Sequence, residues 1–232
     1  MSTMEKSIYQ IKLLGKQEVS KNMLEITFER PTNFDFLAGQ FVQFSIPSGE
    51  KKLPRFYSIC SSPSEKILRF CIKIVNDGVG STFLFGLQTG ESLEMIGPQG
   101  MFTVGEKKTP ILCVATGAGI APIISIIADQ LERGDQKKIN LIFGVRSQED
   151  IFFVNYLEEL AKNSNFSYQI TLSRPNENQK WDGLVGRVTD HLGGDFVGHQ
   201  IYLCGSVGMV RDVREILINK KIDQREIRLE IF

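Results

Sequence analysis

The chain has 232 residues, 42% of them hydrophobic and 23% charged, which is ordinary for one large or two modest globular domains. Its 27 basic residues balance its 27 acidic residues, so charge gives no reason to expect binding to nucleic acid or to a membrane surface. The four cysteines are widely separated and have no CxxC spacing. The sequence therefore predicts neither a metal site nor an iron–sulfur cluster.

One uncharged stretch, between Lys108 and Asp129, is long enough to be considered as a membrane span. Two glycines and a proline interrupt it within Thr116–Pro122, so a buried strand, a tight loop and a buried helix explain it better. The segment Met1–Lys6 lacks the charged-then-apolar pattern of a signal peptide. We therefore expect a cytoplasmic protein without a membrane span.

Short apolar runs with partial alternation, separated by turn residues, fill the first half of the chain. This spacing is typical of an antiparallel sheet or barrel. A short helix is predicted over Gly80–Leu87, with Ser81 as its N-cap. The clearest strand patterns are Ile8–Leu13, Leu24–Phe28, Phe41–Ile46 and Leu68–Ile74.

From Pro110 onward, apolar strand patterns alternate with helical patterns, which predicts a mostly parallel sheet covered on both faces. We therefore expect two domains, an antiparallel β-barrel over residues 1–106 and an α/β nucleotide-binding domain over residues 107–232. The predicted strands of the second domain are Ile111–Ala115, Ile139–Val145, Ser167–Leu172 and Gln200–Cys204. Its predicted helices are Ala121–Arg133, Ile151–Asn163, Val188–Leu192 and Val207–Asn219.

The first candidate site is the end of a strand pattern, Arg55, Phe56, Tyr57 and Ser58. Strand alternation places Arg55 and Tyr57 on one face, where a guanidinium can bind a phosphate and a ring can stack on a flat heterocycle. Taken alone, these residues fit an ordinary barrel strand better. The glycine-rich segment Asp77–Thr82, before a predicted helix, adds a second anion-binding feature and favours a phosphate site.

The second candidate site is Thr116–Pro122, where a strand, a glycine turn and a helix start follow in the order that a pyrophosphate site needs. Gly117 and Gly119 let a ligand approach the backbone, and Pro122 suits the first helical turn. The segment is not the GxGxxG fingerprint of dinucleotide-binding folds. The alternative is a tight strand–helix turn that needs glycine for packing.

A cysteine at the end of the last predicted parallel strand is the third candidate. Cys204 and Gly205 begin a segment that reaches Met209, at the sheet edge where open α/β sheets bind ligands. A buried core cysteine is the alternative. A helix that opens at once at Gly205 and Ser206 favours the functional interpretation.

In combination, the motifs resemble the ferredoxin–NADP reductase family. Arg-x-Tyr-Ser, Gly-x-x-Ser, Gly-Pro-x-Gly-x-Phe (here Gly97–Phe102), Thr-Gly-x-Gly-x-Ala-Pro and Cys-Gly occur in the family's order along nearly the whole chain. The similarity is greatest to reductases of bacterial oxygenases and to small flavin reductases. The resemblance implies a barrel that binds FAD and an α/β domain that binds NAD(P)H.

The resemblance also implies the residues of the site. It places the flavin against Arg55, Phe56, Tyr57, Ser58, Cys71, Ile72, Lys73, Gly80, Ser81 and Thr82. It places the nicotinamide nucleotide against Thr116, Gly117, Gly119, Pro122, Arg146, Ser173, Arg174, Cys204, Gly205 and Met209. The groups expected at the reacting centre are Ser58, Cys204 and Phe232.

Phe232 follows an alternating segment in which Ile227, Leu229 and Ile231 share one face, so it falls on the opposite face. In similar reductases an aromatic residue at this place lies against the flavin ring, where the nicotinamide must enter. The alternative is a frayed end that packs loosely on the barrel.

The expected function is that of an FAD-dependent enzyme that takes a hydride from NAD(P)H and passes electrons to a separate acceptor, such as a ferredoxin, flavodoxin, oxygenase component or cytochrome. The alternatives are a flavin reductase that releases reduced flavin and a non-catalytic flavin- or nucleotide-binding regulatory subunit. Ser173 and Arg174 suit the 2′-phosphate of NADPH, whereas Pro175 and Trp181–Gly183 are shared with NADH-using relatives. NADPH is the expected coenzyme by a small margin.

Overall fold

Two six-stranded sheets organise the chain in the computed structural model, which describes residues 7–232. The first sheet is antiparallel, and a helix, α1 (Val79–Gly86), precedes its last strand in sequence. Its strands are β1 (Ile8–Ser20), β2 (Met23–Glu29), β3 (Phe41–Ser48), β4 (Lys51–Ser58), β5 (Ile67–Lys73) and β6 (Ser92–Gln99), in the spatial order β4-β3-β6-β1-β2-β5.

This first sheet curves into a barrel-like shape without closing. Its outer strands β4 and β5 approach each other at an isolated bridge between Ile59 and Phe70. Alternation along the strands sends one set of side chains inward, where the rings of Phe28, Phe44 and Phe70 meet edge to face. Burying one such ring contributes about 1.5–3 kcal/mol. The predicted antiparallel barrel is thus confirmed as a six-stranded, barrel-like sheet.

The second sheet is parallel throughout, as the alternation of strands and helices predicted. Its strands are β7 (Ile111–Thr116), β8 (Ile139–Val145), β9 (Phe166–Leu172), β10 (Leu184–Val185), β11 (Gln200–Gly205) and β12 (Ile227–Ile231), in the order β10-β9-β8-β7-β11-β12. Its helices are α2 (Ile120–Glu132), α3 (Val154–Leu160) and α4 (Val207–Asn219). Strand β7 is buried on both faces, with Cys113 toward α2 and Val114 toward α4.

Helix α2 accounts for the uncharged stretch in the sequence. Every residue from Ile120 to Gln130 is buried, because the helix packs against the parallel sheet on one side and the barrel-like sheet on another. A helix that is buried on most sides is expected to be mostly apolar, and α2 has only a few polar residues. Within residues 7–232, no helix combines the length and apolar composition needed to cross a membrane.

Two local predictions are wrong. The helix predicted over Ile151–Asn163 is shorter, because Phe153 takes a left-handed backbone conformation (φ 63°) and α3 begins after it. Ser81 is not an N-cap: Gly78 holds that position, and the Ser81 hydroxyl lies inside α1, 3.1 Å from the carbonyl oxygens of both Val75 and Gly78. This hydroxyl holds the preceding loop against the helix instead of capping it.

Candidate functional site

A cleft of about 890 Å³ lies between the two sheets. The end of β4, the turn between β1 and β2 and the start of α1 form one wall. The carboxyl ends of the parallel strands form the other wall, which is where open α/β sheets bind ligands. This volume is typical of cofactor sites.

The cleft brings most of the predicted site residues together, although they come from opposite ends of the chain. Those on its lining are Arg55, Phe56, Tyr57, Ser58, Cys71, Lys73, Gly80, Ser81, Thr116, Gly117, Gly119, Arg146, Ser173, Arg174, Gly205, Met209 and Phe232. Four others lie off the lining: Ile72 in the core of the first sheet, Thr82 exposed on α1, Pro122 buried in α2 and Cys204 buried in β11.

Arg55 and Tyr57 face the start of α1 from the same side of β4. A Cβ atom at Gly80 would lie 2.9 Å from the Tyr57 hydroxyl oxygen and 3.0 Å from Arg55 Cγ, so this close approach needs glycine. The Arg55 guanidinium donates to the carbonyl oxygen of Pro54 (2.8 Å), and the arginine–carboxylate pairs among residues 7–232 involve other arginines. An unneutralised cation beside a helix start suits a phosphate.

Tyr57 supplies a flat apolar surface beside that cation. Its ring lies 5.2 Å from the Phe44 ring, which anchors it to the core of the first sheet. Burial raises the pKa of the Tyr57 hydroxyl, while the charge of Arg55 opposes that rise. The ring is therefore a neutral face on which a flat heterocycle can stack.

The glycine turn after β7 approaches the end of β11 closely. A Cβ atom at Gly119 would lie 2.3 Å from the carbonyl oxygen of Cys204, so a larger residue would push the two segments apart. The Ser206 amide lies 3.4 Å from the Thr116 hydroxyl oxygen, a second contact between the same segments. The start of α2 and the start of α4 are thereby held side by side at the cleft, and the positive end of a helix dipole favours an anion at such a place.

A carboxylate that no sequence motif indicated stands behind Ser58. The Ser58 hydroxyl donates to Oε1 of Glu230 (2.6 Å), across 172 positions of the sequence. Burial raises the pKa of Glu230, and the hydrogen bond from Ser58 opposes that rise. The alternation that placed Phe232 on one strand face also placed Glu230 there. The sequence pattern therefore indicated the face of Glu230 but not its hydrogen-bond partner.

Cys204 lies directly beside this pair, because it is in register with Glu230 across β11 and β12. The cysteine is fully buried, and burial raises the pKa of its thiol strongly, with the charge of Glu230 adding to the effect. The thiol is therefore protonated at neutral pH and is a poor nucleophile. Its role at the reacting centre stays a prediction.

Phe232 extends β12 toward the cleft. Its amide donates to the carbonyl oxygen of Gly205 (3.1 Å), and its side chain is 51% exposed on the cleft lining. The neighbouring Ile231 points to the opposite face of the strand.

Three arginines line the far end of the cleft, each just after a parallel strand. Arg146 follows β8, Arg174 follows β9 and Arg187 follows β10. None of the three has a carboxylate partner among the salt bridges of residues 7–232, although Asp150 and Asp212 also line the cleft. Arg187 was not predicted, because the two-residue strand before it is too short to show a pattern.

Comparison with known proteins matches both halves of the chain. Residues 10–104 match the model of the oxidoreductase FAD-binding domain, and residues 113–215 match that of the oxidoreductase NAD-binding domain. Ferredoxin–NADP reductase B of Sorangium cellulosum is 34% identical over 224 residues, which cover 90% of each chain. The reductase component DmpP of phenol 2-monooxygenase from Pseudomonas is 32% identical over 217 residues, 90% of this chain and 60% of that protein.

Solved structures show the same fold at lower sequence identity. The ferredoxin–NADP⁺ reductase of Neisseria gonorrhoeae, with bound FAD and NADP, superimposes with a TM-score of 0.84 at 22% identity and covers 98% of this chain and 99% of that one. The cytochrome P450 reductase GcoB of Amycolatopsis gives a TM-score of 0.88 at 22% identity, over 98% of this chain and 71% of that one. The similarity thus includes the whole two-sheet architecture.

Proposed function

Because this chain belongs to the ferredoxin–NADP reductase family, we propose that it binds FAD and NAD(P)H in the cleft between its two sheets and passes electrons to a separate acceptor protein. The observation that carries the proposal is the cleft between the sheets, in which the Arg55–Ser58 strand faces the Thr116–Gly119 turn. The acceptor remains a proposal in its own right, since the chain spans 60% of DmpP but 90% of the Sorangium reductase.

The residues of the first wall fit FAD. Arg55 offers an unneutralised guanidinium, and Gly80 lets Arg55 and Tyr57 lie close against the start of α1, where a phosphate would bind. Tyr57 offers a neutral ring for stacking. When bound, the flavin supplies the redox chemistry, since it can accept a hydride and release electrons. The protein's part is to bind and orient the reactants and to keep water from them.

At the reacting centre, we assign Ser58 and Glu230 to orientation and proton holding. The Ser58 hydroxyl is itself oriented by Glu230 Oε1, and burial lets Glu230 keep a proton at a higher pH than an exposed glutamate does. Phe232 lines the cleft, and its assigned role is to lie where a nicotinamide would enter.

Anaerobic mixing tests the proposed function. Protein loaded with FAD is expected to lose its visible flavin absorbance when NADPH or NADH is added, because a bound nucleotide lies within reach of the flavin. An unchanged spectrum at saturating nucleotide would instead support a binding subunit without catalysis. Rapid gel filtration after reduction separates the remaining alternative, since a flavin reductase releases its flavin and an electron-transfer reductase retains it.

We further propose NADPH as the coenzyme, with Arg174 as its principal determinant. The three arginines and the Ser173 hydroxyl line the same cleft, and guanidinium groups without a carboxylate partner suit a 2′-phosphate. Arg174→Ala is expected to lower the ratio of kcat/KM for NADPH to that for NADH by about tenfold or more, since a charge-assisted hydrogen bond contributes ~1.5–3 kcal/mol.

The matched control for Arg174 is Lys180→Ala, because Lys180 is an exposed cation of the same loop that pairs with Asp182 and lies off the cleft lining. It should leave the coenzyme ratio unchanged. An unchanged ratio in Arg174→Ala would remove Arg174 from this role, and equal falls in both variants would indicate a general effect of loop charge.

A further inference from the structure

A buried hydroxyl in the middle of α2 joins the two walls of the cleft. Ser125 is completely buried, and its Oγ donates to the carbonyl oxygen of Ser61 at 2.7 Å. Ser61 belongs to the barrel-like sheet's side of the molecule, three residues after Ser58, and its own hydroxyl accepts from the amide of Arg69 (3.2 Å). The hydrogen bond therefore connects a helix of the parallel sheet to a loop fixed on the antiparallel sheet.

Both ends of this hydrogen bond lie close in sequence to the candidate site. On the flavin side, Ser61 follows the end of β4. On the nucleotide side, Ser125 lies six residues after Gly119, which is about 9 Å along a helix that starts at the glycine turn. Neither Ser125 nor Ser61 lines the cleft, so neither is placed to touch a ligand.

Other contacts keep α2 from rotating about that hydrogen bond. At the end of the helix, Oε2 of Glu132 accepts from the hydroxyls of Ser62 and Ser64, the latter at 2.6 Å. Next to Ser125, the side chain of Ile126 packs so closely on the turn at Gly39 that a Cβ atom there would lie 3.0 Å from Ile126 Cδ1. The helix is thus attached to the barrel-like sheet at its middle and at its end.

We infer that Ser125 is a positioning residue that sets the distance between the flavin wall and the nucleotide wall of the cleft. The inference rests on the proposed function, because the distance matters for transfer between two ligands bound on opposite walls. Helix α2 is a stiff element, so a shift at Ser125 displaces the glycine turn at its start. A displacement of about 1 Å can cost ~100-fold in rate without weakening binding to either wall.

The test is Ser125→Ala, measured in two ways. Stopped-flow reduction at saturating NADPH is expected to be at least about tenfold slower than in the parent, while KM and the flavin content change less than about twofold. Hydrogen exchange in the protein without flavin or nucleotide should be faster for the amides of residues 60–65, because the loop loses its attachment to α2.

Two further variants make the result decisive. Ser64→Ala removes one of the two hydroxyls that donate to Glu132 at the outer end of α2. Because the Ser62 hydroxyl still holds Glu132, this variant should keep the parent's reduction rate. Ser125→Cys retains a weak donor of similar size and should give an intermediate rate, which also covers the case in which the alanine variant fails to fold. A parent-like limiting rate in the folded Ser125 variants, or an equal loss in Ser64→Ala, would overturn the inference.

The proposed function can fail separately. If the parent protein itself shows no reduction by either nucleotide, the electron-transfer function is wrong whatever the variants do. Unchanged exchange of residues 60–65 in Ser125→Ala would show that the hydrogen bond does not hold the loop, and this result overturns the inference without reference to activity.

Discussion

The guanidinium of Arg55 faces the cleft without a carboxylate to neutralise it, beside a helix start that also attracts anions. We predict that Arg55→Ala weakens FAD binding by ~10- to 150-fold, the equivalent of losing one charge-assisted hydrogen bond of ~1.5–3 kcal/mol. Titration of the unloaded protein with FAD measures this. Lys52→Ala is the control, because Lys52 is on the same strand but pairs with Glu94 away from the cleft. Equal losses of FAD affinity in the two variants would exclude Arg55 from the phosphate site.

Glu230 should make stability depend on pH. Its pKa is raised in the folded protein by burial, so folding disfavours its charged form. The stability associated with protonated Glu230 is therefore fully present below the ordinary carboxyl pKa and is lost as the pH rises through the raised value. We predict that Glu230→Gln becomes progressively more stable relative to the parent as the pH rises above the ordinary carboxyl pKa of about 4.3, as measured by urea unfolding at each pH.

The control for this pH dependence is Glu215→Gln, at an exposed position of α4. The free energy of unfolding of Glu215→Gln should differ from that of the parent by the same amount at every pH tested. If the Glu230→Gln difference is also level, burial does not shift the titration of Glu230 in solution.

Individual site residues differ in how far the sequence could reveal them. Arg55 and Tyr57 sit two apart on a strand, so alternation alone placed them on one face. The contact of Ser58 with Glu230 joins positions 172 residues apart, and no periodicity specifies such a pairing. Cys204 ends a strand at the expected edge of the sheet, yet its side chain points into the core, a choice of face that motif spacing does not determine.

Among the elements, the end of β12 brings together two neighbouring residues with opposite surroundings, Ile231 in the strand and Phe232 just after it. Phe232 lines the cleft, whereas Ile231, of similar exposure, is on the other strand face. We predict that Phe232→Ala shifts the absorbance spectrum of bound flavin and changes the dissociation constant of the nucleotide, because offset stacking of aromatic rings contributes ~0.5–1.5 kcal/mol. Ile231→Ala should change neither. Identical spectra and affinities for the two variants would make Phe232 an ordinary surface residue.

The sequence predicted the order of the elements better than their boundaries. The order of β7, glycine turn and α2 follows from composition, since an apolar strand and an apolar helix flank the glycines. The start of α3 did not follow, because Phe153 adopts a left-handed backbone that a bulky side chain rarely takes. Prediction from a sequence pattern assumes ordinary backbone geometry. The predicted helix therefore ran through Phe153, whose ring packs against Phe152.

At the scale of the whole molecule, the two sheets share a buried boundary. The Phe102 and Tyr202 rings meet edge to face at 5.4 Å, and Arg69 lies over the Tyr156 ring at 4.9 Å. We predict that the two halves unfold together. Fluorescence of Trp181, the single tryptophan, reports on the parallel sheet, and far-ultraviolet circular dichroism reports on both sheets. The two denaturation curves should coincide; separate midpoints would show that the boundary does not couple the halves.

The two-part architecture itself was accessible from the change in hydrophobic period near Pro110. The way in which the two parts pack together could not be predicted. A helix that is buried by a sheet distant in sequence shows this only by its lack of charged residues, which does not identify the sheet. The stretch between Lys108 and Asp129 showed that α2 is buried on all sides, but the partner on its second side became apparent only in three dimensions.

The bond between Ser58 and Glu230 has a consequence for the newly made chain. Synthesis proceeds from the amino terminus at about 5–20 residues per second, and early domains generally fold first. The barrel-like sheet has all its strands once β6 is made, whereas Glu230 and Phe232 are made only after the parallel strands β7 to β11. A nascent chain can therefore acquire a flavin-binding surface well before it can use it, and the reacting centre is completed only as β12 joins the sheet.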